Sequence, residues 1–224
     1  MSKAKNTKVL FIEARKKFPS NLFRRIFEND AAENALKILP QKFLIAYSIQ
    51  YKELAYKLKD FLEKKGRKIA GIIQVLGCSV LKTRKHEEKN ILLVGSGKFH
   101  AVQLALQGKN IYIYENGKIF QLAEEEIKKI FAERKVAISK FYSADAVGII
   151  VSCKYGQENL NLALNLKKKI DKMGKSSFIF LADTIDLNEL DNFPVQSWVN
   201  TACPGIALSS LSGKNVVNYT DIKI

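Results

Sequence analysis

The stretch DAVGIIVSCKYGQENLNLALNLKKKIDKMGKSSFIFLAD, residues 145–183, decides the fold. DAVGIIVS (145–152) is a short apolar run that ends at a turn, so it reads as a strand. QENLNLALNLKKKIDKMGK (157–175) carries apolar residues at helical spacing and closes on Gly174. SSFIFLAD (176–183) is a second strand. A strand, an amphipathic helix and a strand make the crossover unit of a parallel sheet, and such crossovers are right-handed.

The same rhythm extends in both directions. Downstream come a short helix near 186–191, the strand VQSWVNT (195–201) and a last strand in GKNVVNYTD (213–221). Upstream, KVLFIEA (8–14) reads as a buried strand, AENALKILP (32–40) as a short helix closed by proline, and KFLIAYS (42–48) as a strand. YKELAYKLKDFLEKKG (51–66) is a helix stopped by Gly66, and RKIAGIIQV (67–75) is a strand leading to Cys78. A polar helix near 80–88, the strand NILLVGSG (90–97), the helix KFHAVQLALQGK (98–109) and the strand and turn NIYIYENGKIF (110–120) follow. A charged helix over 122–142 is the expected joint. The fold class is therefore α/β, with two small parallel-sheet domains at 1–142 and 143–224.

The 224 residues carry 37 basic and 22 acidic side chains, for a net charge of +15. That excess fits RNA, DNA or an acidic protein partner. The lysines, however, are dispersed over KLKDFLEKKGRK (57–68), EEEIKKIFAERK (124–135) and LKKKIDKMGK (166–175), which read as solvated helix faces. No RNA-recognition signature accompanies them, so charge alone speaks for direct nucleic-acid binding. The apolar runs are strand-length, and Glu13 interrupts the one nearest the basic start, so neither a membrane span nor a secretory signal is read. A cytoplasmic location is expected.

Three cysteines, Cys78, Cys153 and Cys203, occur without any CxxC pair. An odd count argues against a disulfide framework. Thiols that bind metal here must converge from distant segments. Each follows a strand, which puts it on the C-terminal edge of its sheet, where ligands collect. VNTACPGI (199–206) sets Cys203 on a turn with Pro204 behind it; the alternative is a small buried hydrophobe. GSGKFH (95–100) is a glycine turn whose N–H groups, at Gly95, Ser96 and Gly97, can meet an anion or carboxylate at a helix start. It lacks a full GxGxxG and a phosphate-loop ending, so a simple tight turn stays open, with His100 as an ordinary helix residue. SCKYGQ (152–157) is a second such turn, with Gly156 and Gln157 opening the next helix as a backbone cradle or a plain cap.

Six collinear segments form a set: VLFIEAR (9–15), QVLGC (74–78), VGSGKFH (94–100), GIIVSCKYGQ (148–157), NFP (192–194) and VNTACPGI (199–206). Together they resemble the archaeal diphthamide synthase family of 3-amino-3-carboxypropyl transferases. The resemblance implies three related α/β domains, each giving one cysteine to a 4Fe-4S cluster that holds and cleaves S-adenosylmethionine. The 3-amino-3-carboxypropyl group then goes to a histidine of translation elongation factor 2. It implies Cys78 and Cys203 as the ligands from the second and third domains. It also places Gly95, Ser96, Gly97 and His100 by the S-adenosylmethionine pocket, with Gly156 and Gln157 lining it. It does not assign a catalytic residue.

VLFIEAR matches the opening of the family's second domain, so the first domain and its cysteine have no counterpart in this sequence. Three readings follow: a partner chain carries that domain in a homo- or hetero-oligomer; this is a non-catalytic scaffold or accessory subunit; or Cys153, where the family more often has threonine, substitutes. A basic RNA-binding α/β protein is the remaining alternative. Gly205 stands where the family usually has arginine after CP, and Ser209 and Ser210 stand where it often has acids.

Overall fold

The structure, a computed structural model, describes residues 12–18, 36–75, 87–95, 98–115, 117–209 and 213–224. They divide into two units, Met1–Leu122 and Ala123–Ile224. The first unit holds β1 (Lys42–Tyr47), α1 (Lys52–Lys64), β2 (Lys68–Gln74), β3 (Asn90–Val94), α2 (Lys98–Ala105), β4 (Asn110–Glu115) and β5 (Lys118–Gln121). The second holds α3 (Glu124–Ser143), β6 (Ala146–Ser152), α4 (Leu160–Lys172), β7 (Ser176–Ala182), β8 (Ser197–Asn200), α5 (Gly205–Ser209) and β9 (Val216–Asn218).

The first sheet runs β2-β1-β3-β4-β5 and the second β7-β6-β8-β9. All pairings are parallel except β4 with β5, a hairpin whose turn contains Gly117 at φ +83°. A positive φ of that size suits glycine, which has no Cβ to clash. Central strands are buried on both faces, as parallel sheets require. Phe43, Leu44, Ile45 and Ala46 of β1 and Val147, Ile149, Ile150 and Val151 of β6 are all buried.

The two units repeat one plan. In each, the first parallel strand is followed by a 13-residue helix, α1 or α4, and the helix by a glycine at φ +81°, Gly66 or Gly174. Leu54, Ala55, Leu58 and Leu62 of α1 pack on the first core; Ala163, Leu166 and Ile170 of α4 pack on the second. On the outer faces Lys59 pairs with Glu63 at 2.8 Å and Lys167 with Asp171 at 3.0 Å, both four residues apart. The strand order matters for function. The chain leaves β1 towards β2 and later crosses to β3 on the other side, and β6, β7 and β8 do the same. Such a reversal opens a crevice at the carboxyl ends of the two strands where the direction switches.

The structure differs from the sequence reading at three places in these elements. Residues 12–14 are not a strand, and Ile12 is 81% exposed; residues 8–11 of that expectation lie outside the described residues. The polar helix near 80–88 also falls largely outside them, and Glu87 and Glu88 are not helical. The helix expected as a joint, α3, goes with the second unit, because Ala137 and Phe141 pack into its core beside Val147 and Val217. α5 begins directly after Pro204, whose fixed φ suits the entrance to a helix.

Candidate functional site

The second crevice opens where β6 and β8 end. All four residues of β8, Ser197 to Asn200, are buried. Thr201 extends the ladder one step: its N–H and its hydroxyl both donate to the Ile150 carbonyl, at 3.1 and 2.8 Å. The chain then folds back. The Ala202 N–H donates to Asn200 Oδ1 at 3.0 Å, a side-chain turn of the kind asparagine favours.

Three asparagines fix the turn that carries Cys203. Asn200 Nδ2 donates to the Cys203 carbonyl at 2.9 Å and to Asn218 Oδ1 at 2.8 Å. Asn218 Nδ2 donates to the Pro204 carbonyl at 3.3 Å. Asn159, which precedes α4, donates to the Thr201 carbonyl at 2.9 Å and makes no side-chain cap bond to its own helix. The Cys203 carbonyl also accepts the Ile206 N–H at 3.0 Å as α5 starts. The backbone at 201, 203 and 204 is thus held from β8, β9 and the start of α4, while Cys203 itself is a free, half-buried cysteine. Asn200 and Asn218 are the buried members, and a satisfied buried pair of this kind rigidifies its surroundings, while Asn159 ties the turn from the exposed side. None of these asparagines was singled out in the sequence. The only local hint is that Asn200 and Asn218 each close a short apolar run, and they stand opposite each other in the β8–β9 register.

Cys153, directly after β6, is a second free, half-buried cysteine, and its N–H donates to the Ala182 carbonyl at the end of β7 at 3.0 Å. The Lys154 N–H donates to Ser152 Oγ at 3.1 Å, and the Gln157 N–H to the Lys154 carbonyl at 3.0 Å. Gly156 sits at φ +79°. Gly156 and Gln157 therefore form a separate turn and do not open α4, which starts three residues later at Leu160.

In the first unit, Gly95 is buried at the end of β3, and a Cβ there would meet Ser48 Oγ at 3.5 Å, an ordinary contact. The Ser48 N–H donates to the Val94 carbonyl at 3.4 Å. His100, in the first turn of α2, is half-buried against the Phe99 ring, with centroids 5.5 Å apart. Burial lowers its pKa, so the imidazole is neutral near pH 7. Ser96, Gly97 and Cys78 lie outside the described residues. A cleft of 720 Å³ in this unit is lined by Arg15, Lys16, Lys17, Lys52 and Lys57 with Glu53, Tyr56 and Asp60. Lys16 lies 5.6 Å above the rings of Phe18 and of Tyr51.

Soft thiolates are the ligands that iron–sulfur clusters take. A free thiol on a turn fixed by three asparagines suits that use, and the carbonyls around it are already engaged within the protein. Among the described residues, no three His, Cys, Asp or Glu side chains converge as a metal-holding group, and no helix is long and apolar enough to cross a membrane.

Comparison with known proteins bears on this geometry. Residues 1–218 match the family described as putative diphthamide synthesis protein. The 2-(3-amino-3-carboxypropyl)histidine synthase of Pyrococcus horikoshii is 31% identical over 204 residues, covering 84% of this chain and 58% of that protein. The protein of the same name from Methanocaldococcus jannaschii is 32% identical over 173 residues, covering 75% of this chain and 46% of its own. The crystal structure of Dph2 from Pyrococcus horikoshii with a 4Fe-4S cluster superposes with a TM-score of 0.72 at 25% identity, over 89% of this chain and 60% of that one. The chain thus spans roughly half of the length of the relatives it matches.

Proposed function

Because this chain belongs to the diphthamide synthesis protein family, we propose that it is a component of a 3-amino-3-carboxypropyl transferase acting in the first step of diphthamide biosynthesis. The group moves from S-adenosylmethionine to a histidine of translation elongation factor 2. A 4Fe-4S cluster supplies the chemistry when bound, reductive cleavage of the sulfonium on its methionine side to give a carbon radical. The observation that carries this reading is the Cys203 turn, a free thiol whose backbone is tied by Asn159, Asn200 and Asn218.

Each residue has a physical task in this reading. Cys203 is the ligand from the second unit and Cys78 the ligand from the first. The asparagines hold the Cys203 backbone so that the sulfur keeps its place without a cluster, which reduces the ordering cost of loading one. Gly95, Ser96 and Gly97 keep the role the family resemblance implies, backbone N–H groups for the carboxylate of S-adenosylmethionine, and Gly156 and Gln157 the role of further contacts to that substrate. Neutral His100 can donate or accept one hydrogen bond without adding positive charge near a sulfonium. A partner chain brings the third thiolate. The basic cleft around Lys16 and Lys52 steers an acidic partner, which speeds encounter more than it adds affinity. The setting is the cytoplasm, where thiols stay reduced.

The test is anaerobic reconstitution of the chain with iron and sulfide, alone and with its partner. Broad visible cluster absorption, and 5′-methylthioadenosine release from S-adenosylmethionine after reduction, are the expected results. Cys78→Ala and Cys203→Ala should each abolish both. Retention of cleavage in either variant would end the proposal.

A further inference from the structure

The Ser176 N–H donates to the Asp145 carbonyl at 2.8 Å, and the Ala182 carbonyl accepts the Cys153 N–H at 3.0 Å. Even-numbered residues of β7 therefore direct their backbone groups at β6, and Ser177, Ile179 and Leu181 turn theirs the other way. β7 ends its sheet, so that other side is an edge. Lys167 closes the first carbonyl there, with Nζ 2.6 Å from the Ser177 oxygen. No backbone group among the described residues meets Ile179 or Leu181 on that side. Natural sheets blunt such edges by shortness, charge, proline or a bulge. β9 has three residues, β5 has four, and β2 pairs with β1 through an irregular register. β7 has seven residues, SSFIFLA, in unbroken register with β6 and without a charge or a proline. Its apolar side chains reach water: Phe178 is 51% exposed and Leu181 53%. Leu164, one turn before Lys167 on α4 and so on the same helix stripe, is also exposed.

We propose that β7 pairs antiparallel with β7 of a second copy of this chain, joining their two sheets into one. The open groups choose the register. Outward-facing residues set opposite each other exchange both N–H···O bonds, so Ile179 of one copy lies opposite Leu181 of the other, and the reverse. Phe180 then meets its own copy across the two-fold axis, and Phe178 faces the small Ala182. Asp183 follows directly on Ala182, whose carbonyl is still in the β6 ladder, so its exposed carboxylate comes opposite Ser177 of the other copy. Lys167, which also holds Asp171 at 3.0 Å, and Lys175, two residues before Ser177, receive that carboxylate. The two-fold axis repeats the contact at both ends, as a self-complementary patch requires. The pairing does not depend on the function proposed above: β6 separates β7 from β8, the strand that leads to Cys203.

Sedimentation velocity of the full chain over a concentration series tests this, with reductant present so that no disulfide-linked pair is counted. The expected result is a monomer–dimer equilibrium. Leu181→Pro removes an outward N–H and leaves the ladder to β6 intact, since an edge strand tolerates proline where the N–H faces solvent. Asp183→Lys lies outside the strand and sets like charges together at both ends of the contact, so it serves should the proline variant perturb folding. Each should weaken the dimer by roughly tenfold or more. A monomer at every concentration, or a dimer that neither variant weakens, overturns the proposal. So does a chain that is monomeric alone and pairs through this edge only with the partner that brings the third thiolate; the function proposed above would then stand, and the edge would belong to that partner.

Discussion

Asn159, the residue before α4, gives its side-chain amide to the Thr201 carbonyl at 2.9 Å instead of capping its own helix. The helix start thereby gives up a favourable cap, and the β8 turn gains an anchor from a segment 42 residues away in sequence. Asn159→Ala is expected to cost about 1 kcal/mol, the net worth of one hydrogen bond. Its larger effect is local: the Cys203 turn loses one of its three holds. In a chain with Cys78 and Cys153 changed to serine, the alkylation rate of Cys203 should rise several-fold on Asn159→Ala. An unchanged rate would show that the turn does not depend on this bond.

Asn200 carries more. It accepts from Ala202 and donates to Cys203 and Asn218, at 1% exposure. Asn200→Ala leaves the Ala202 N–H and Asn218 Oδ1 without their partner, while the Cys203 carbonyl keeps the Ile206 N–H, and should cost about 3 kcal/mol, read from urea unfolding. Asn200→Asp keeps the shape and the acceptor but loses both donated bonds, and turns a carboxylate oxygen towards a carbonyl. It should be at least as destabilising as alanine. An aspartate variant with wild-type stability would mean the network is wrongly assigned.

That network also marks the limit of what sequence reasoning could see. Strands such as β1 and β6 are legible because burial on both faces leaves an unbroken apolar run, and α1 and α4 because a single buried stripe recurs at helical spacing. Gly66 and Gly174 are legible as stops because a left-handed residue after a helix is nearly always glycine. The position of Cys203 after a strand was legible for the same reason. The asparagines were not. Their partners are 3, 18 and 42 residues away, and only the parallel register of β8 with β9 and the path of α4 bring them together.

Gly148 faces the ring of Trp198 across the β6–β8 ladder. A Cβ there would lie 2.2 Å from Trp198 Cε3. The ring cannot retreat freely, since Phe180 and Phe193 pack edge-on with centroids 4.8 and 6.1 Å away. Gly148→Ala should therefore cost about 2–3 kcal/mol as an overpacked core. Trp198 is the single tryptophan, so its fluorescence reports the shift directly. A variant with unaltered emission and stability would rule out the close approach.

Arg134 on α3 forms a two-point ion pair with Asp221, whose side chain is 3% exposed while that of Arg134 is 30% exposed. The pair ties α3 to the segment after β9. Asp221→Asn leaves an arginine that can still reach water, so the cost should be about 1–2 kcal/mol, below that of breaking a fully buried pair. Arg134→Met leaves the nearly buried carboxylate without its partner and should cost more. A double-mutant cycle gives the coupling, and equal losses for the two single variants would refute the asymmetry.

The last prediction concerns pH. Burial holds the folded pKa of His100 below its ordinary value of 6.5. In the unfolded chain the same ring titrates near 6.5. Between these two values the unfolded state binds more protons than the folded state, so stability rises with pH there. The contribution of His100 is complete above about pH 6.5 and is lost as pH falls through its lower, folded pKa. His100→Gln removes the titration while keeping a hydrogen-bonding side chain. His86 is the only other histidine, so His86→Gln serves as the matched control. Urea midpoints should fall from about pH 7 to pH 5.5 in wild type and in His86→Gln, and be flatter in His100→Gln. Parallel curves for all three would mean that His100 is solvated in the folded chain, and its role as a neutral group beside a sulfonium would go with it.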